Sequence, residues 1–437
     1  MSESNTHVLK LPGYRHLWVG QLISQFGDVL HFMVFLWWAG EIGGPRAAAI
    51  VATCSMLTYI MLSMVAGTVA DRVDRRLILL MSDLVCGCVV VAMAITAFNY
   101  PKPPLWVLCI FTSLLKMGFV FQAPARSAAV GRLVPQDRLL EANSLNSTVQ
   151  TAMPLAGNAL GAILLGIIFK ISASLAYIVA FGINAVSFFV SAIFMAKLPA
   201  IVPFREEEKH PFQDAVDGVK YIWTHPVIRI STLMMIGFGF CAAPFMQGYI
   251  QVAQTTYKHG VEFAGLNITG PALLSLLETG FFVGYVIGSL LLHKRPMRKV
   301  GVAFSVAMAV GSAMIIPMGY VSSWVLFWVL NLLSGIVWPF ALVTIESFVQ
   351  ATTPDEFRGR VHSGSQMMAT MAAAIGVYFA GHVLDAWGAG GLFAVIGSGL
   401  VLFALLGLAF KPFREAEMPE AAQKASEPTE SMLSEPA

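Results

Sequence analysis

The sequence predicts an all-α membrane protein with twelve transmembrane helices in two six-helix pseudo-symmetric bundles. Three observations predict this. Of its 437 residues 57% are hydrophobic and only 12% charged, with mean hydropathy +0.72, too little charge to cover a soluble surface of that size. The apolar residues fall into runs near the roughly 20 residues that a spanning helix needs: 16–40, 47–70, 77–99, 104–125, 142–169, 172–196, 228–256, 269–292, 300–320, 323–349, 361–385 and 390–410. The longest internal connection then divides these spans six and six. The expected domains are a bundle over 1–197, a linker over 198–226, a bundle over 227–411 and a tail over 412–437.

Charge placement orients the spans. With the N-terminus inside, every lysine and arginine except Arg46, Lys102, Lys170, Lys258 and the mid-span Lys116 falls on the inner side. The positive-inside rule therefore predicts a multi-pass protein of the cell inner (cytoplasmic) membrane with both termini cytoplasmic. The first apolar run is too long for a cleavable signal peptide and lacks a small-residue cleavage site. In the linker, Phe212, Val216, Val219 and Trp223 recur at helical spacing, which predicts an amphipathic helix on the inner membrane surface. The tail after Phe413 has six glutamates and no large apolar run, and is expected to be disordered.

The pattern excludes several function classes. The five cysteines lie inside apolar spans with no metal-ligand spacing. No phosphate-cradling GxxxxGK[ST] loop, HExxH or Ser-His-Asp arrangement is present, so no catalytic residue, metal or cofactor is expected. The basic residues hug the bilayer and form no nucleic-acid face.

The halves resemble each other. Val130, Pro135 and Ser144 in "VGRLVPQDRLLEANS" match Val349, Pro354 and Ser363 in "VQATTPDEFRGRVHS" at a constant offset, each stretch linking a fourth span to a fifth. Parallel six-helix repeats are a transporter architecture with the substrate site near the midplane.

Between spans two and three runs "GTVADRVDRR", residues 67–76. It resembles the signature that the major facilitator superfamily carries there: glycine, aspartate, then clustered basic residues, with Asp74 standing where a second glycine is common. Ser24-Gln25-Phe26-Gly27-Asp28 in span one, "FQAPA" with Pro124 after span four, and "RGRV" from Arg358 resemble the drug-exporter branch that includes macrolide efflux and siderophore export proteins. The resemblance covers essentially the whole chain. It implies that Gly67 lets two helices approach, and that Asp71 faces the N-terminus of span eleven near Arg358. Arg72, Arg75, Arg76 and Arg360 would complete an inner gate. Span five reads "LAGNALGA", with Asn158 and Ala162 replacing the proline and second glycine of the antiporter signature.

Charges at membrane depth cost roughly 2.5–3.5 kcal/mol on insertion scales, so each needs a partner or a role. Asp28, about 20 Å along its helix from Arg15, Lys116 and Glu278 all fall near mid-span. Gln21, Ser24, Asp28 and His31 share one helical face. Thr112 and Lys116 face each other's turn on span four, so an Asp28–Lys116 pair is expected, either as a working switch or as a static clasp. Glu278 has no basic partner within span eight. It reads either as a proton carrier or as a neutral acid hydrogen-bonded to a neighbour. His31 is a relay candidate or a plain lining residue. Gln150 on span five, Gln247 and Gln251 on span seven, and Asn331 and Trp338 on span ten are further cavity candidates, suited to an amphiphilic organic molecule.

These readings converge on a secondary active transporter exporting an amphiphilic small molecule of drug, macrolide or siderophore type, by alternating access and antiport against protons. The expected partners are that substrate, protons and the lipid bilayer, with no nucleic acid, and the expected state is a monomer. The alternatives are a transporter of a lipid-like or metal-linked substrate, and a non-transporting membrane sensor or assembly factor on the same scaffold.

Overall fold

A computed structural model of the chain describes residues 7–70, 72–202, 211–294 and 297–419. Asp71 of the predicted gate and residues 420–437 of the predicted tail lie outside them. Among the described residues ten helices are long and apolar enough to cross a membrane. Two of the helical stretches, Pro12–Ala70 and Asp355–Ala409, contain 59 and 55 residues. At 1.5 Å per residue each extends roughly 80 Å, enough for two crossings of a hydrocarbon core about 30 Å thick. Each breaks at glycine. Gly44 has φ +70° and ψ −170°, and Gly388 has φ +65° and ψ −166°, conformations that glycine adopts without steric penalty. Pro45 then opens the next helix, where its missing N–H costs nothing. This is compatible with twelve spans. Large apolar side chains stand exposed along the helices, Phe98 at 71% and Ile171 at 72% among them, as a lipid-facing surface requires.

The chain forms two compact units. The first comprises Met1–Pro211 together with Tyr249–Thr279, the second Phe212–Gly248 together with Gly280–Ala437. Tyr249–Thr279 thus groups with the first unit. The reason is local. Gly270, at φ +62°, lets the backbone meet the ring of Phe169, and a side chain at Gly40 would run into the amide of Gln254.

In the first unit the opening helix packs against Leu105–Leu133, Leu139–Ile171 and Ala173–Ala196, and Arg75–Asn99 packs against Leu105–Leu133 and Ala173–Ala196. A side chain added at Gly13 would approach Leu133 to 2.8 Å, so the start of span one and the end of span four lie side by side. Val8, Tyr14, Leu17, Leu79 and Ala129 form a buried cluster there, and the Tyr14 hydroxyl donates to the Ala142 carbonyl at 2.9 Å. The connection over 257–269 folds into a hairpin, Val261–Phe263 with Leu266–Ile268. Ala264 and Gly265 turn it with φ +50° and +75°, the positive values that a two-residue type I′ turn needs.

In the second unit Val300–Met318 packs against Trp324–Thr352 and Asp355–Ala409, and Pro226–Ala242 against Asp355–Ala409. The linker helix forms over Pro211–Thr224. Tyr221 stacks on Phe357 at 4.6 Å, and Asp217 lies 3.9 Å from Arg360. Val216 and Trp223 are each 47% exposed. The expected disorder from residue 412 is corrected for the segment to 419. Phe413 is fully buried 5.9 Å from Phe304, and backbone hydrogen bonds join Val300 to Ala416 and Met418 to Arg298. One large aromatic in an otherwise polar tail supplies the anchor.

Candidate transport cavity

The first unit holds a cavity of about 440 Å³. Its walls come from four predicted spans: Gln21, Ser24, Gln25 and Asp28 from span one, Tyr59 from span two, Lys116, Phe119, Gln122 and Arg126 from span four, and Gln150, Met153 and Pro154 from span five. Helical periodicity explains this. Lys116, Phe119, Ala123 and Arg126 recur at spacings of three and four, as do Gln21, Ser24 and Asp28, so each helix presents one face to the same space. The span one helix comes in close at Gly27, where any side chain would collide with Asn184 and Ser187 of span six.

Asp28 and Lys116 both line the cavity, yet the expected ion pair is absent: no contact within 4.0 Å joins them among the described residues. Lys116 instead holds its ammonium 5.3 Å from the centre of the Tyr59 ring, a cation–π geometry. Asp28 has the Asn184 side chain and the buried Asp83 for neighbours. Asp83 is fully buried. Its two oxygens accept hydrogen bonds from Gln122 Nε2 at 2.7 Å and Ser191 Oγ at 2.6 Å.

Other candidates fall elsewhere. His31 is buried, with its ring 5.5 Å from Phe35 and 5.3 Å from Phe181; it packs as an aromatic and is not a wall of this cavity. Thr112, one turn from Lys116, is also not a wall. Glu278 lies apart from this cavity and accepts a hydrogen bond from Asn158 Nδ2 at 2.7 Å. The residue that departs from the antiporter signature is therefore the glutamate's partner. Gln251 is half-buried and its carbonyl accepts from the Thr255 hydroxyl. In the second unit Gln247, Asn331 and Trp338 are buried. Trp338 donates to Ser334 Oγ at 3.0 Å and meets Phe238 edge-on at 4.8 Å.

At the end of the second span, nothing described lies within 4 Å of a side chain placed on Gly67. Arg72 is exposed in the turn. Arg76 donates to the Ala196 carbonyl at 2.5 Å, and Arg75 is buried with Nε and Nη1 unpaired among the described residues. Asp74 is already engaged. Its Oδ1 accepts from the Arg76 and Ile201 N–H groups at 3.0 and 2.9 Å, capping the Arg75–Asn99 helix. Aspartate ahead of a helix is a legible cap signal; the bond to Ile201 is not. Arg358 Nε donates to the Gln350 carbonyl at 3.0 Å, and Arg360 stacks on Phe357.

A multi-pass helical membrane protein whose polar cavity is walled by several spans has the construction of a solute transporter. The sequence profile of the Major Facilitator Superfamily matches residues 17–364, and the chain belongs to that family. Relatives include an uncharacterized MFS-type transporter, YfiS, of Bacillus subtilis, 24% identical over 92% of this chain and 94% of its own. Macrolide efflux protein A of Streptococcus pyogenes is 22% identical over 89% and 94%. The multidrug efflux pump Tap of Mycobacterium tuberculosis is 24% identical over 91% and 93%. The fold is similar to crystal structures of a POT family transporter with a thioalcohol-conjugated peptide (TM-score 0.68, 15% identity, 92% of this chain and 96% of that one) and of the nucleoside transporter NupG (0.68, 12%, 90% and 99%).

Proposed function

We propose that this chain is a secondary transporter that exports an amphiphilic small molecule by alternating access, driven by inward proton movement. The observation that carries the reading is Asp28: a carboxyl at mid-span depth, facing a cavity and, among the described residues, free of any ion pair that would lock it. An unpaired carboxyl can exchange a proton with solvent or yield it to an incoming substrate, and a gradient does work only through a site whose occupancy differs between states. The efflux relatives support the outward direction. The cavity's mix of amides with Tyr59, Phe119 and Met153 suits an amphiphile. Inner-membrane placement with both termini cytoplasmic belongs to the same proposal and rests on the charge asymmetry.

The test is proton flux in proteoliposomes holding a pH-sensitive dye, challenged with a panel of amphiphiles. Substrate-dependent proton movement that Asp28→Asn abolishes is the expected result. Uphill transport at the wild-type proton ratio in Asp28→Asn would remove Asp28 from the coupling and leave Glu278 as the carboxyl to examine.

A further inference from the structure

The cavity's charges lie on two levels. Asp28 is sixteen residues into the helix that starts at Pro12, and Lys116 is seventeen from the end of the helix that finishes at Leu133. Because Gly13 and Leu133 lie side by side, both stand about 25 Å from the same end. On that level the Lys116 ammonium is held over the Tyr59 ring, and Asp28 supplies a carboxyl to the same wall. Gln21 is nine residues in and Arg126 seven from the end, so both stand about 10–14 Å from it. Arg126 lines the cavity and makes no hydrogen bond or ion pair among the described residues. Gln21 is 6% exposed and its Nε2 has no acceptor. Arg126 presents a half-buried guanidinium without an acceptor to this space, and Gln21, whose own buried Nε2 also lacks one, lines the same space.

We propose that this inner level is the recognition site for an acidic oxyanion on an apolar body: an amphiphile whose carboxylate accepts from Arg126 and Gln21 Nε2 while its body lies along Phe119, Tyr59 and Met153. The guanidinium presents a fork of donors matched to a carboxylate, and pairing relieves the cost of leaving buried donors unsatisfied. This deepens the transport reading and rests on it for the substrate's fate, but binding can be measured without flux.

The experiment compares dansyl-aminoundecanoic acid with its neutral methyl ester and with the cationic dansylcadaverine, on full-length protein in phosphatidylcholine nanodiscs with empty nanodiscs subtracted. The acid is expected to bind about tenfold or more tightly than either. Arg126→Gln should erase that preference while leaving ester binding in place, Arg126→Lys should keep part of it, and Gln21→Leu should weaken the acid alone. Equal binding of acid and ester, preference for the cation, or a preference that survives Arg126→Gln overturns the proposal. Should Arg126→Gln not fold, Gln21→Leu decides by the same comparison. Replacing part of the lipid with phosphatidylglycerol separates sources: competition lost in Arg126→Gln marks a lipid headgroup as the oxyanion, and no competition marks a free amphiphile. Absence of transport alongside selective acid binding would sink the export reading and leave this site standing.

Discussion

Lys116 shows how a residue's partner reverses an energetic expectation. Were it paired with Asp28, removing either ion would strand the other at about 3–5 kcal/mol. Because it stands over Tyr59 instead, a double-mutant cycle of Lys116→Met with Asp28→Asn should be close to additive in thermal stability. The Lys116→Met and Tyr59→Leu cycle should show coupling of about 0.5–2 kcal/mol. The reverse pattern would restore the ion pair. Glu278 carries a second prediction at this scale. Asn158 donates to it, so Glu278→Gln keeps a hydrogen-bonding group and should preserve substrate exchange, while proton-driven accumulation falls if this carboxyl carries the proton. Asn158→Leu should damage both, since it leaves a buried carboxyl unpaired. Counterflow and pH-driven uptake, measured side by side, separate the outcomes.

At the scale of elements, turn and cap chemistry decides how the helices join. Asp74→Ala removes the cap of the Arg75–Asn99 helix and the acceptor of the Ile201 N–H at one stroke. A cap alone is worth about 0.5–2 kcal/mol, so the loss of melting temperature should exceed that of a cap elsewhere, for example Ser172→Ala at the Ala173–Ala196 helix. Asp74→Asn should recover most of it. Equal losses in the two alanine variants would reduce Asp74 to an ordinary cap. The cap was readable in the residues. Its second bond was not, because residues 74 and 201 meet only after four spans have packed between them.

For the whole molecule, the charge asymmetry predicts sidedness. A protease site placed at either terminus should be cut in inside-out membrane vesicles and protected in right-side-out ones. Cleavage of both only in right-side-out vesicles would invert the topology and with it the direction of transport. The lipid-facing surface follows from the same composition, since exposed residues such as Phe98 and Ile171 have no other favourable environment.

Taken alone, the sequence determined the elements: where apolar runs are long enough to span, and which polar residues share a helical face. Those depend on spacing and transfer free energy within about twenty residues, and they are written in order along the chain. Only the tertiary structure decided partners. It turned Lys116 from Asp28 to Tyr59, buried Asp83 between Gln122 and Ser191, and gave Glu278 the amide of Asn158. It also moved Arg126 from an inner-side topology charge to a cavity wall. Depth along a helix can be counted, but which side chain lies across the gap depends on how two helices are rotated against each other. That rotation is set by close contacts such as Gly27 against Asn184, made between residues far apart in the chain.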